Sequence, residues 1–336
     1  RDVRGGVSSV VNSYYEAGLD KLCELTYLPT MKDGNKLYKL IVALGARLRF
    51  ETLIKQADIL HVHMSADNSF YRKAVFIRKA YKERKKIIIH MHGSTFDLFY
   101  KERCNDEQKR QVREIFAMAD KVIALSEDWK EFLAEYICDA EKIEVIYNAV
   151  KIPEPYGKDY SNQKMLFLGI LGQRKGTYDL IEVLPEIFQN YPDSHVYFGG
   201  DGEQKQAEQL CREKGITEHV TFLGWVRGAE KEKLLKECSI YVLPTYHEGM
   251  PMSVLEAMAY GMAVVSTYVG GIPHIITSGE NGLLCEAGDK ETLKEKLMQL
   301  LSNSGLRKML GSSAKETLLQ NFDIKETVGR LLRLYE

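Results

Sequence analysis

The stretch Tyr241-Val242-Leu243-Pro244-Thr245-Tyr246-His247-Glu248-Gly249-Met250-Pro251-Met252-Ser253-Val254-Leu255-Glu256-Ala257-Met258-Ala259-Tyr260-Gly261 reads as a strand, a loop and a helix. Pro251 fits the first helical turn, where its missing N–H costs nothing, and Gly261 suits the carboxyl-terminal cap. The helix then opens near Gly249–Ser253 with free backbone N–H groups at the positive end of its dipole, a ready anion site. Glu248 stands just before that end. Glu256 lies five residues beyond Pro251, roughly 7–8 Å along an axis that rises 1.5 Å per residue. Two carboxylates flanking an anion site match a ligand with hydroxyls at both ends of a diphosphate, the shape of a nucleotide-sugar. A loop acid and a helix-face acid that share no ligand are the other reading of this spacing.

The same strand–loop–helix unit recurs outward from this stretch. In the first half, short β-rich runs occur at Cys23–Leu28, Ile59–His63, Ile87–His90, Lys121–Ala124 and Ile143–Tyr147. In the second they occur at Met165–Gly169, Val196–Gly199, Val220–Leu223, Ser239–Leu243, Ala263–Thr267 and Gly282–Cys285. Longer helical patterns separate them, which implies crossover units and parallel sheets buried on both faces. Eleven strands exceed one comfortable open sheet, and the helix-free stretch from Val150 to Asn162, with Pro153, Pro155 and Gly157, divides them. The expectation is α/β: two Rossmann-like domains facing a cleft, at 1–155 and 156–320, with 321–336 crossing back to the first as a helix. Arg4-Gly5-Gly6-Val7-Ser8-Ser9 looks like the glycine turn after a first strand, yet no strand precedes it, so a missing amino-terminal strand is expected.

A second anion element follows the first strand of the later half. Leu166-Phe167-Leu168-Gly169-Ile170-Leu171-Gly172-Gln173-Arg174-Lys175-Gly176-Thr177 puts two cations in a glycine-bearing loop that opens a helix. Lys175 offers a point charge and Arg174 a planar fork suited to phosphate oxygens. This is not a Walker loop, since Gly176 rather than Ser or Thr follows the lysine. Gly199-Gly200-Asp201-Gly202 and Val269-Gly270-Gly271-Ile272 close further strands and permit close backbone approach, although either alone fits a tight turn.

Composition narrows the classes. The 336 residues are 45 % hydrophobic and 28 % charged, ample for packed cores, and a net charge of −1 argues against a nucleic-acid binder held by bulk electrostatics. No apolar run is long enough to span a bilayer. No signal peptide is legible, with Arg1-Asp2-Val3-Arg4 at the start. The six cysteines lack metal or redox spacing, so a cytoplasmic protein is expected. Charge is uneven: 27 Lys+Arg stand against 23 Asp+Glu through Lys158, and 19 against 24 beyond it. Much of the basic excess lies in 71–86, at Arg72, Lys73, Arg78, Lys79, Lys82, Arg84, Lys85 and Lys86. Interleaved with Tyr71, Val75, Phe76, Ile77 and Tyr81, these form a basic amphipathic helix, read either as a solvated face or as a contact with an anionic membrane.

In these motifs the chain resembles retaining glycosyltransferases of family four, which have the GT-B fold and build capsular, exopolysaccharide or lipid-linked glycans. The resemblance rests on Phe167-Leu168-Gly169, Arg174-Lys175-Gly176, Gly224-Trp225-Val226, the run Glu248 to Gly261, and Gly270-Gly271-Ile272-Pro273. It implies a donor site in which Glu248 holds sugar hydroxyls, Glu256 the ribose, Arg174 and Lys175 the diphosphate, and Val226 borders the base. Gly249, Met250 and Pro251 supply the helix start, Gly5 and Gly6 approach the diphosphate, and His92 sits beside the sugar. Many members carry Arg after the glycine of the first motif, where this chain has Ile170. Retention follows from the same resemblance; the donor base stays open, with uridine preferred to guanosine, and the basic helix together with the aromatic loop Phe96–Tyr100 (Phe96, Phe99, Tyr100) suits a glycan or polyprenyl-linked acceptor, a soluble one being the other reading. Lys175, Arg174 and the helix N–H groups can stabilise a departing nucleoside diphosphate without a metal, and the sequence has no Asp-any-Asp pair.

Two histidine pairs, His61-Val62-His63 and His90-Met91-His92, alternate at presumed strand ends. Period two puts each pair on one face, so a zinc site is conceivable; rim hydrogen bonding is the reading preferred. Ser126 and Asn148 read as cap or turn residues. The functional classes left open are a glycosyltransferase with no cofactor or metal, a nucleotide-sugar epimerase or phosphorylase on the same scaffold, and a non-catalytic nucleotide-sugar binder.

Overall fold

A computed structural model describes residues 5–32 and 34–336, with the backbone alone at Lys36. Contacts divide the chain into two units. One runs to Ala149 and includes Ile324–Glu336; the other is Val150–Asp323. The divisions therefore fall after Ala149 and Asp323, where the sequence suggested 155 and 320.

The first unit begins with α1 (Gly6–Glu16), α2 (Leu19–Leu22) and α3 (Lys36–Gln56). There follow β1 (Ile59–Met64), α4 (Asn68–Lys82), β2 (Lys86–Met91), α5 (Phe96–Leu98), α6 (Asp106–Ala117), β3 (Lys121–Ala124), α7 (Glu127–Tyr136) and β4 (Ile143–Val145). All four strands are parallel, in the order β1-β2-β3-β4. Ile87, Ile88 and Ile89 are consecutive and fully buried, as a strand covered on both faces requires. Local chemistry fixes the helix starts: Asn105 and Gln108 close a capping box on α6, and Ser126 accepts the Trp129 N–H at 3.3 Å to cap α7.

The second unit contains β5 (Lys164–Leu168), α8 (Thr177–Asn190), β6 (His195–Gly199), α9 (Gln204–Glu213), β7 (Val220–Gly224) and α10 (Gly228–Glu237). It continues through β8 (Ile240–Leu243), α11 (Met252–Ala259), β9 (Ala263–Thr267), β10 (Leu283–Cys285), α12 (Lys290–Ser302) and α13 (Ser304–Asn321). Its six parallel strands lie in the order β10-β9-β8-β5-β6-β7. The chain thus leaves β5 toward β7 and returns on the other side of β5 with β8. That reversal places a topological switch point between the carboxyl ends of β5 and β8, where ligands of open α/β sheets bind.

The last helix, α14 (Ile324–Tyr335), belongs to the first unit. It buries Ile324, Thr327, Val328 and Leu331, one face at helical spacing. Arg330 donates to the Val145 carbonyl at 2.7 Å, and the Tyr335 hydroxyl meets His61 Nδ1 at 2.7 Å.

Ten of the eleven expected strands form among the described residues. The exception is Cys23–Leu28: Cys23 is extended, but the segment joins no ladder. Its residues are half-buried or exposed, so alternation alone supplied neither a partner strand nor a core face. Arg4 lies outside the described residues.

Candidate active site

The site of the second unit is assembled by backbone-to-backbone packing of two loops at the switch point. At Gly176, with φ of 69°, a Cβ would lie 1.8 Å from the Pro244 carbonyl oxygen, so only glycine lets the β5 loop pass the β8 loop. The Arg174 carbonyl then accepts the Tyr246 N–H at 2.8 Å and the Thr245 hydroxyl at 3.0 Å. Gly270 plays the same part on the β9 side: at φ of 52° its missing Cβ would meet the Glu248 carbonyl at 1.8 Å.

These constraints bring Lys175 and Glu248, 73 residues apart, into a direct ion pair through Glu248 Oε1. Both are mostly buried, with side chains 13 % and 7 % exposed. Arg174 is exposed and donates to the His247 carbonyl at 3.2 Å. Glu256, on the first turns of α11, accepts from Lys231 Nζ of α10 at 2.7 Å. The Tyr241 phenol beneath them donates to the Leu168 carbonyl at 3.2 Å and hydrogen-bonds Ser253. Burial first, then the nearby charges of Glu248 and Glu256, push its ionisation upward, so both carboxylates act on one buried group.

Gly249, Met250 and Pro251 are buried in the turn that leads into α11. Pro251 is the N-cap residue, one position before the first turn in which the sequence placed it; its carbonyl accepts from Val254 at 3.1 Å. The N–H groups of Met252 and Ser253 open the helix and have no intrahelical acceptor. Gly261, at φ of 63°, ends it, as its permissive backbone suggested. Val226 is buried against Gly199, where a Cβ would come within 2.7 Å of Val226 Cγ2.

Lys231 was not legible as a site residue. It sits in the charge run Glu230-Lys231-Glu232-Lys233, which reads as a solvated helix face. Only the tertiary fold brings Lys231 of α10 to Glu256 of α11, and no one-dimensional signal encodes that contact.

In the first unit Gly5 caps α1 with φ of 134°, and a Cβ at Gly6 would meet no atom within 4 Å. The four histidines form one cluster. His63 registers with His90, so both pairs share a face of the sheet. His63 Nδ1 and His92 Nε2 lie 2.8 Å apart, and His61 Nε2 and His90 Nδ1 3.2 Å. Burial holds His61 down to about 4 and His92 to about 3, so the cluster is uncharged at neutral pH. Among the described residues His61, His63 and His90 are one group with ligand atoms close enough to share an ion. Along 71–86, Arg72 donates to Thr30 and Lys79 pairs with Glu51 and Glu83, while Arg78, Lys82 and Arg84 are exposed.

A doubly wound unit with an acid–cation pair at its switch point is an open α/β fold with its ligand position at the carboxyl ends of β5 and β8, and similarity to known proteins gives the family. Residues 148–317, half of the chain, match Glycosyl transferases group 1, and residues 12–152 match Glycosyltransferase Family 4. The chain belongs to the group 1 glycosyl transferases, and its fold is GT-B. It is 27 % identical over 277 residues to an uncharacterised glycosyltransferase of Methanocaldococcus jannaschii, covering 78 % of this chain and 71 % of that protein. It is 25 % identical to the N-acetyl-alpha-D-glucosaminyl L-malate synthase of Bacillus anthracis, over 88 % and 78 % of the two chains. Among solved structures, Anabaena HepE in complex with UDP-glucose superposes with a TM-score of 0.75 at 21 % identity, over 99 % of this chain and 97 % of HepE.

Proposed function

We propose that the protein transfers a sugar, with retention of configuration, from a nucleotide-sugar to a glycan or lipid-linked acceptor. The observation that carries this reading is the Lys175–Glu248 pair at the β5/β8 switch point, one helical start away from Glu256. In this reading Lys175, Arg174 and the first N–H groups of α11 would receive diphosphate oxygens. Glu248 would hold sugar hydroxyls and Glu256 the ribose. Departure of a nucleoside diphosphate concentrates negative charge on its distal phosphate, and a fixed cation beside a helix start stabilises that charge without reorganising.

Glu248 serves twice in this scheme: it holds Lys175 in place before the donor arrives, and afterwards it offers its oxygens to hydroxyls. In the first unit, an uncharged His92 can exchange hydrogen bonds with a sugar without a competing imidazolium charge. The open space above Gly6 suits close approach of a diphosphate. The proposed donor is a uridine nucleotide, and metal is not required for leaving-group departure. All six cysteines are free, in keeping with a cytoplasmic enzyme. No helix among the described residues is long and apolar enough to cross a membrane. A lipid-linked acceptor would be met at the membrane face, with Arg78, Lys82 and Arg84 of the 71–86 segment available to headgroups.

The test is a thermal-shift screen of UDP- and GDP-sugars, followed by assay of nucleoside diphosphate release with candidate acceptors. Donor-dependent stabilisation and acceptor-dependent release are expected. Stabilisation with no release under any acceptor would reduce the protein to a binder; a sugar-nucleotide product with inverted hydroxyl configuration would make it an epimerase.

A further inference from the structure

Arg72 and Lys73 are adjacent cations on the opening turns of α4, the helix that starts from the carboxyl end of β1. Arg72 is anchored, since its Nε donates to the buried Thr30 hydroxyl at 3.3 Å. Its two terminal nitrogens have no acceptor among the described residues. Lys73 is half-buried and, among the described residues, makes no hydrogen bond and no ion pair. Burial first, then the charge of Arg72, pushes its ammonium down to about 8. The later cations of α4 are placed differently: Lys79 has Glu51 and Glu83 at 2.7 and 3.0 Å, and Arg78 and Lys82 are exposed. Asp67, the acid nearest in sequence, is held by Arg103 at 2.8 Å. Two like charges thus stand side by side, partly out of water, with no counter-charge from the described fold. Such an arrangement costs stability until an anion completes it.

Their position points to a ligand. Parallel sheets bind ligands at the carboxyl ends of their strands, and here the loops after β1 and β2 are pressed together. The His92 N–H donates to the Met64 carbonyl at 2.7 Å, and a Cβ on Gly93 would lie 3.1 Å from the Ala66 nitrogen. The Lys73 charge acts on His63, whose Nδ1 is 2.8 Å from His92 Nε2. A planar guanidinium and a compact ammonium, beside uncharged imidazoles, match the several oxygens and double charge of a phosphoryl group better than a lone carboxylate.

We propose that Arg72 and Lys73 form a second anion site, in the first unit, that holds a phosphoryl group of the acceptor. Assignment to the acceptor rests on the reading that Lys175, Arg174 and the start of α11 take the donor diphosphate; the anion site itself does not. A prenyl diphosphate carrying the acceptor sugar and a phosphate on a sugar ring offer the same chemistry.

The test is calorimetric titration of the whole chain, first with UDP and then, at saturating UDP, with inorganic pyrophosphate, geranyl diphosphate and glucose 6-phosphate. Wild type is expected to take up one equivalent of pyrophosphate beyond the UDP. The tighter of the two organic phosphates identifies the source of the phosphoryl group. Lys73→Met should weaken pyrophosphate binding at least about tenfold, the worth of one charge-assisted contact, and leave UDP affinity unchanged. In a Trp225→Phe background, the urea midpoint of Lys73→Met read from Trp129 should equal or exceed that of Lys73, since an apolar side chain replaces an unpaired charge; a lysine kept only for packing would give a lower one. No uptake of any of the three by UDP-saturated wild type would overturn the inference, as would uptake that Lys73→Met leaves unaltered. A tenfold loss of UDP affinity in Lys73→Met would hand the pair to the donor and overturn it as well. Failure of wild type to bind UDP would instead sink the donor reading of the second unit, and pyrophosphate binding that Lys73→Met abolishes would still establish the anion site.

Discussion

Replacing Lys175 with alanine removes the partner of a carboxylate that is 7 % exposed. Breaking a buried ion pair on one side costs about 3–5 kcal/mol, because the remaining charge stays out of water uncompensated. The nearby start of α11 softens that penalty, so the low end, about 3 kcal/mol, is expected. The chain has two tryptophans, Trp129 in the first unit and Trp225 in the second. In a Trp129→Phe background, urea unfolding read from Trp225 therefore reports the unit that carries the pair. With a urea slope of about 2–3 kcal/mol/M, the midpoint should fall by roughly 1 M or more. Adding Glu248→Gln should recover most of that loss, since a neutral amide replaces the stranded charge, while turnover stays down at least about a hundredfold in both variants. A Lys175→Ala protein that unfolds at the wild-type midpoint would refute the reasoning, because Glu248 would then not depend on Lys175.

Gly270→Ala should destabilise the second unit by at least about 3 kcal/mol by the same Trp225 measurement, since its Cβ meets the Glu248 carbonyl in a left-handed backbone region that alanine disfavours. Gly6→Ala should do the opposite for stability: the position is helical and open, so the urea midpoint of the first unit should hold or rise, by up to about 1 kcal/mol. Its donor affinity by calorimetry should nevertheless fall at least about tenfold if a diphosphate approaches there. The buried histidines predict acid lability. Their folded values lie below 6.5, so the unfolded chain binds more protons between those values; the stability they contribute is complete above pH 6.5 and is lost as pH falls toward about 4 for His61 and about 3 for His92. Urea midpoints of Trp129 emission from pH 7.5 to 4 should decline, and His61→Gln should flatten the slope.

The alternation of strands and helices was legible because parallel strands buried on both faces leave continuous apolar runs, as at Ile87–Ile89 and Tyr241–Leu243. Cys23–Leu28 misled because its β-rich composition carries no information about whether a partner edge exists. In the site, Glu248 and Lys175 stood out through their loops, since glycine turns and a helix start are local. Lys231 did not, because its contact with Glu256 spans two helices. The basic segment 71–86 shows the same limit: amphipathicity in one dimension does not say which apolar side the fold will use. Helix α4 spends its apolar side on the core, whereas α3, with apolar residues on two sides and so no single-faced pattern, buries Phe50 and Ile54 and leaves Leu40, Leu44 and Leu48 exposed.

A crystal structure with a bound UDP-sugar is the most direct trial of the donor assignment. Phosphate oxygens within hydrogen-bond reach of Lys175 and the first N–H groups of α11, with sugar hydroxyls on Glu248 and ribose hydroxyls on Glu256, are the predicted result. A donor lodged away from the carboxyl ends of β5 and β8, with the Lys175–Glu248 pair untouched, would contradict it.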